Sequence, residues 1–406
     1  MDALRERRRS ARGHPVIGQF RSFDRPSKLL MVNQFTINVG FYMLMPYLAG
    51  YLAGPLGLAG WAIGLVLGVR NFSQQGMFLI GGTLADRFGY KPLIVAGCLL
   101  RTAGFTLLGV VNSLPALVIA SAATGFAGAL FNPAVRAYLA ADAGERRVEA
   151  FAMFNVFYQG GILLGPLIGL ALTTVDFRLT CLVAAGVFAV LTVLQIRALP
   201  RHAAAVTERR TMLGDWRTVV ANRPFILFAL VMVGSNVLSF QVYLALPLQA
   251  GSQVMVMALF VVSAVVAIAG QLRITSWFRG RFGPGRSIVI GAAVLTSAFL
   301  PPMVVPGGVA LLVSSALLAL GTAVVFPFEM DTIVRLSDDR LVATHYGFYN
   351  TIVGVGIMLG NLFAGTVFDL SPRAGWIGLT AVGAACVAGL FALQRSRTLE
   401  TEPLSR

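Results

Sequence analysis

The chain has 406 residues, of which 57% are hydrophobic and only 12% charged, with 44 glycines and a mean hydropathy of +0.78. A soluble protein of this length would carry about a quarter charged residues, so an ordinary cytosolic enzyme, a disordered chain and a disulfide scaffold are excluded. The 32 basic and 17 acidic residues leave a net charge of +15, but the basic residues fall between apolar runs, where they set topology rather than read nucleic acid.

Residues 1–27 carry a basic run (Arg5, Arg7, Arg8, Arg9, Arg12) with no adjoining short apolar core and cleavage site. They read as a cytoplasmic tail against anionic lipid, not as a signal peptide. Apolar runs follow at 28–52, 60–84, 93–112, 115–133, 150–172, 178–198, 224–248, 254–276, 286–304, 308–330, 345–367 and 374–394. Twelve spanning helices need about 240 residues, which the length accommodates with short connections. The expected architecture is an all-α integral membrane protein. A six-helix half over 28–198 is joined by a cytoplasmic linker, 199–223, to a second half over 224–394, and 395–406 form a cytoplasmic tail.

On the side holding both termini lie 28 of the 32 basic residues, so the positive-inside rule predicts cytoplasmic termini. Cys98, Cys181 and Cys386 all lie in apolar runs, and His14, His202 and His345 are scattered. Neither set offers metal-ligand or disulfide spacing.

The halves repeat each other. Pro46 matches Pro247 at an offset of 201, Arg87-Phe88-Gly89 matches Arg281-Phe282-Gly283 at 194, and Asn155 matches Asn350 at 195, with Gly161 and Gly165 falling on Gly356 and Gly360. Parallel six-span repeats predict a transporter with a midplane site between halves that rock.

Gly82-Thr83-Leu84-Ala85-Asp86-Arg87-Phe88-Gly89-Tyr90-Lys91 resembles the loop signature of the major facilitator superfamily, with Tyr90 in place of the usual Arg. The resemblance implies a conformational latch of Gly82, Asp86, Arg87, Gly89 and Lys91. Gly82 would permit close helix approach, and Asp86 would accept from a helix N-terminus in the other half. Gly161, Gly165, Pro166 and Gly169 resemble the drug:proton antiporter motif of span 5, which favours export, the alternative being small-residue packing around a proline kink. Gly68–Gly76 and Asp176–Leu179 are similar to the MdtH-like branch of multidrug exporters. That family implies proton-driven export with no cofactor, from the bacterial cytoplasmic membrane, by a monomer whose partners are amphiphilic substrate, protons and lipid.

Two departures stand out. Ser121 occupies the place of the antiporters' span-4 Arg, and span 1 carries Asn33-Gln34 but no carboxylate. Only Glu329 and Asp331 approach the bilayer interior among the acids. Either they carry the proton, or they close an inner gate with Arg136 or Arg335, the reading preferred from sequence. An ionisable group within a span costs about 3 kcal/mol or more. Arg70, one turn from Gln74, therefore reads either as a coupling or anion-binding residue or as a buried structural Arg. Arg101 reads as structural.

Gln34, Asn38 and Tyr42 share a helix face. With Gln74, Asn155, Tyr158, Gln159, Asn236, Gln241, Tyr243, Tyr346 and Asn350 they are the expected cavity lining. The alternative for each is an interhelical hydrogen bond worth about 0.6 kcal/mol. Neutral hydrogen-bonders among Phe and Met suit amphiphilic or cationic drug-like molecules better than sugars or small anions. Export of one lipid or metabolite, or facilitation without proton coupling, stays open. No nucleophile–base pair, metal cluster or phosphate loop supports an enzyme.

Overall fold

The computed structural model describes residues 20–143, 147–200, 212–337 and 341–396. Most of both expected tails and of the central linker lies outside them, as do the side chains of Asp86 and Arg87. Among the described residues the chain is helical and has no strand.

Span 1 comprises Arg25–Tyr42 and Met45–Ala53. Span 2 is Gly60–Asn71, a π-helical turn at Phe72–Gly76, and Phe78–Phe88. Spans 3 to 6 are Tyr90–Val110, Leu114–Ala143, Arg147–Thr173 and Phe177–Ala198. Span 7 is Arg223–Ser239, a 3-10 turn at Phe240–Tyr243, and Ala245–Gln249. Spans 8 to 12 are Gln253–Arg281, Pro284–Ser297 with Pro301–Val304, Gly308–Leu336, Val342–Leu370 and Pro372–Arg395. A helix at Met212–Ala221 belongs to the linker, and its Trp216 ring stands edge-on to Phe348 of span 11 at 5.8 Å. The end of the bundle holding the linker is called here the linker face, and the other the far face.

Nine helices among the described residues are each long and apolar enough to cross a bilayer. Spans 1 and 2 are each broken into pieces of 18 residues or fewer, and Gln253–Ala269 within span 8 is a shorter apolar stretch. Large apolar side chains such as Val190, Leu230 and Leu359 are exposed on the outer surface. A patch of that kind is not tolerated in water, but it suits lipid.

The breaks of spans 1 and 7 have a common cause. Proline lacks an N–H, and its ring collides with the carbonyl four residues earlier. Pro46 therefore frees the carbonyl of Tyr42, and Pro247 that of Tyr243, so both helices restart beyond their tyrosines. In span 2 the π turn leaves Gly76 O to accept a hydrogen bond from Thr351 Oγ1 of span 11 at 2.9 Å.

Within the halves, span 1 packs on span 5 and span 3 on spans 4 and 6, while span 9 packs on spans 10 and 12. Between them, the main seam is span 2 against span 11, with span 5 against span 8 beside it. Glycine makes the first seam. Gly60, Gly64 and Gly68 lie at i, i+4, i+8, on one face of span 2. Methyl groups built on Gly60 and Gly64 would run into the backbone carbonyls of Gly365 and Asn361, and one on Gly68 would come within 2.9 Å of Met358 O. From the other side, a methyl on Gly354 would lie 2.6 Å from Gly76 N. This is small-residue helix packing, in which close backbone approach replaces the hydrophobic effect that lipid cannot supply.

Gly82 departs from expectation. A side chain there meets open space, and it is the neighbouring Gly81 that abuts the backbone of Ala129. Overpacking of a tight interface costs about 1–3 kcal/mol. Gly64→Leu should therefore lower the apparent melting temperature of the detergent-purified protein clearly, whereas Gly82→Ala should leave it unchanged or slightly raised. Equal effects in the same melt would contradict the seam.

Candidate functional site

The two proline breaks meet each other across the halves. Tyr42 and Tyr243 share a hydrogen bond between their hydroxyls at 3.2 Å, and their separation of 201 residues equals that of the two prolines. Symmetry-related residues thus close the pathway against one another. Two further contacts join the halves toward the far face. Thr173 Oγ1 of span 5 donates to Gln253 Oε1 of span 8 at 3.1 Å. Asp369, at the end of span 11, accepts from the backbone N–H groups of Gly60 at 2.6 Å and Trp61 at 2.9 Å.

Asp369 thereby caps the first turn of span 2, whose own preceding residue, Ala59, supplies no side-chain cap. A carboxylate at a helix N-terminus satisfies orphan donors and faces the positive end of the dipole. Away from the far face, Thr351 Oγ1 of span 11 joins the halves by donating to the Gly76 carbonyl of span 2.

The expected lining residues divide into two groups. In the first half, Gln34 donates to Asn38, and Asn38 donates to the carbonyl of Tyr158 at 2.8 Å, tying span 1 to span 5. Arg70 Nη2 donates to Gln74 Oε1 and Nη1 to Asn71 Oδ1, both at 2.7 Å. An i, i+4 pair of Asn71 with Gln75, suggested by their spacing, is thus replaced by a bond to Arg70. The guanidinium of Arg70 also lies 4.5 Å from the Phe41 ring centre. Asn155 is exposed and Gln159 half-buried; neither is bonded to a described residue.

In the second half, Asn236 of span 7 donates to Tyr349 Oη at 3.1 Å and to Glu329 Oε1 at 3.3 Å, and Tyr349 donates to the same carboxylate. Gln241 donates to Asn361 of span 11. Tyr346 Oη donates to the Met330 carbonyl, and Asn350 donates to that of Tyr346.

Glu329 is the acid buried among the described residues, and its partners are a phenol and an amide rather than a cation. The salt bridge expected there forms instead between Asp331 and Arg335, one turn apart on span 10 at 3.2 Å, and crosses no interface. Arg136 is exposed on span 4. Asn361, Asp369 and the seam glycines were not singled out from sequence. The glycine spacing was visible there; the partner of Asp369 lies 309 residues away and was not.

The Major Facilitator Superfamily model matches residues 30–360. The chain belongs to the major facilitator superfamily. It is also similar to an uncharacterized MFS-type transporter of Mycobacterium tuberculosis (strain ATCC 25618 / H37Rv), 61% identical over 392 residues, covering 91% of this chain and 94% of that one. The multidrug resistance protein MdtH of Yersinia enterocolitica is 27% identical over 400 residues, covering 96% and 99%. Among solved structures, the nucleoside transporter NupG (D323A mutant) superposes with a TM-score of 0.79 at 16% identity, over 91% of this chain and 100% of that one. The POT family transporter PepTSo gives 0.77 at 13%, over 94% and 99%. At such identities the structures establish the fold alone. The protein is a multi-pass membrane transporter of this superfamily and not an enzyme.

The superfamily's loop signature divides its work in this chain. Gly89 has φ +87°, a conformation that only glycine adopts without strain. Lys91 Nζ donates to the carbonyls of Ile196 at 2.8 Å and Leu199 at 2.5 Å, capping the end of span 6 with a cation that opposes its dipole. Gly161, Gly165 and Gly169 of the antiporter-like motif all face span 1. Side chains there would meet Asn38, Tyr42 and the Met43 backbone, and Tyr47 Oη donates to the Pro166 carbonyl at 2.5 Å. In the second half Gly356 and Gly360 seat Val233 and Val237 of span 7 in the same manner. The motif is thus the bed for each half's broken helix.

Loss of an N-terminal cap costs about 1 kcal/mol. Asp369→Ala should therefore loosen the far face. Spin labels at Val175 and Ser252, on the ends of spans 5 and 8, should gain a population at longer distance. An unchanged distance distribution would show that the cap carries no part of the closure.

Proposed function

We propose that the protein is a proton-coupled exporter of small amphiphilic compounds, set in a bacterial cytoplasmic membrane with both termini in the cytoplasm. The linker face then becomes the cytoplasmic face, in line with its basic residues. The observation that carries the reading is Glu329. A carboxyl buried in the second half is bonded by neutral Tyr349 and Asn236, with no cation among the described residues to hold it ionised, so taking up and releasing a proton is chemistry it is free to do. The similarity to MdtH, a multidrug resistance protein, supports the substrate range.

Alternating access follows from the cross-half contacts. The Tyr42–Tyr243, Thr173–Gln253 and Asp369–Gly60 bonds hold the outer ends of the halves together, as an inward-facing state requires. The glycine seam of spans 2 and 11 serves as the pivot, because along Gly60, Gly64 and Gly68 the backbones approach closely with few bulky side chains to unlock. In the opposite state, Asp86 at the end of span 2 would cap the first turn of span 11. That turn has no side-chain cap, since the preceding Leu341 offers none. Asp86 and Asp369 would then be alternating caps at opposite ends of one helix pair.

The test uses the full chain in liposomes with a pH-sensitive dye inside, an imposed proton gradient and an amphiphilic dye as substrate. Substrate-dependent proton flux should fall about tenfold or more in Glu329→Gln, with substrate binding retained. Substrate movement without proton flux in the wild type would make the protein a facilitator. Asp86→Asn should slow cycling while leaving binding nearly intact, and equal loss of both would remove its assignment as a latch.

A further inference from the structure

The first half buries two cations with no anion. Arg70 of span 2 and Arg101 of span 3 are each 95% removed from solvent contact, at 5% exposure. Arg70 spends two donors on Asn71 and Gln74, but its Nε has no partner. Arg101 makes no hydrogen bond or ion pair with any described residue, and its Nε is likewise unpartnered. Its guanidinium lies instead among three rings, 5.3 Å from the centre of Phe188, 5.8 Å from Phe41 and 6.0 Å from Phe131. Phe41 is the ring that Arg70 also covers.

The two groups adjoin. A methyl built on Gly128 of span 4 would lie 3.1 Å from both Arg101 Nη2 and the Gln74 carboxamide, which already accepts from Arg70. Tyr42 lies within electrostatic reach of both guanidiniums, with Tyr243 near Arg70 and Tyr158 near Arg101.

Among the described residues of this half, no acid is bonded to either arginine. Asp142 accepts from Ser27, and Asp176 caps span 6 at the far face. Asp86 is 16 residues beyond Arg70 along span 2, roughly 24 Å at helical rise. Glu149 is nine residues before Tyr158 along span 5, roughly 13 Å away. Unpaired charges in a low-dielectric interior are strongly disfavoured. A guanidinium's best partner is an oxyanion that can take two parallel N–H bonds.

We propose that Arg70 and Arg101 form the subsite for an anionic oxygen group, a carboxylate, phosphate or sulfonate, carried by the transported amphiphile. The fixed cations take its head, the phenols of Tyr42 and Tyr158 supply further donors, and Phe41, Phe131 and Phe188 face its apolar part. The subsite lies beside Tyr42, whose hydroxyl bonds that of Tyr243 across the halves. This inference rests on the export reading and amends it, since neutral amides and phenols alone favoured cationic substrates. It also gives Arg101, read from sequence as structural, a substrate contact.

The experiment compares two probes sharing one environment-sensitive fluorophore, dansylglycine with a carboxylate and dansylcadaverine with an ammonium group, on the full chain in lipid nanodiscs. Dansylglycine should bind the wild type about tenfold tighter or more. Arg70→Gln and Arg101→Gln should each weaken it by about tenfold, the scale of one charge-assisted hydrogen bond, while shifting dansylcadaverine less than about twofold. Arg101→Lys, keeping the charge without the planar fork, should fall between.

Equal affinity of the wild type for both probes would overturn the proposal, and so would equal weakening of both probes in the variants. Chloride or inorganic phosphate saturating the site without a dansylglycine preference would make it a counter-ion site only, which also overturns it. Transport in liposomes separates this inference from the export reading. Dansylcadaverine moving without dansylglycine would leave an exporter and remove the anion subsite. Arginine-dependent dansylglycine binding with neither probe moved would keep the subsite and remove the export reading.

Discussion

The structure depends on how closely spans 2 and 11 can approach. In lipid the hydrophobic effect does not drive helices together, so association rests on van der Waals packing and hydrogen bonds between backbones near enough to touch. Gly60, Gly64, Gly68 and Gly76 on one helix and Gly354 and Gly365 on the other supply that nearness. Over this stretch the backbones meet with little side chain between them, while Leu79 of span 2 is seated against Gly347 of span 11. A leucine-lined interface of the same area would interdigitate and hold one tilt.

Around this pivot, the two prolines do more than bend helices. Each frees the carbonyl of a tyrosine, and the duplication of the half brings the two tyrosines together. One local rule, applied twice and related by pseudo-symmetry, therefore builds the far-face closure. Each broken helix is bedded against glycines of its own half, Gly161, Gly165 and Gly169 under span 1, and Gly356 and Gly360 under span 7. The antiporter-like glycine motif and the break it supports are thus one packing unit.

The polar interior is divided by charge. The first half buries two guanidiniums among aromatic rings, and the second buries one carboxyl among a phenol and an amide. No salt bridge among the described residues joins them. Each group is held by neutral neighbours. The Asp331–Arg335 pair, exposed and local to one helix, is the kind of ion pair that contributes little.

Much of this was legible in the residue order. The apolar runs, the repeat offsets and the loop signature are patterns a few residues to a few tens of residues long, and span length and helix period are set by the bilayer and the backbone. Arg70 beside Gln74 could be read because both lie on one helix, a turn apart. What the order could not give is any contact whose partner lies on another helix. Glycine spacing says that span 2 has a flat face, but only packing chose span 11 to cover it, and chose Gly81 over Gly82 for the approach to span 4. Arg101 looked peripheral until tertiary structure turned its guanidinium toward Phe41 and Gly128. Glu329 lacked its expected cation because the helix turned Arg335 toward Asp331. Asp369 was an unremarked loop acid until the fold set it on the first turn of span 2. The sequence by itself determined how many helices cross and with what repeat, because those follow from local hydrophobicity and periodicity. Which charged and polar groups answer one another was decided by the tertiary structure, because the approach of distant helices is a matter of shape along their whole length.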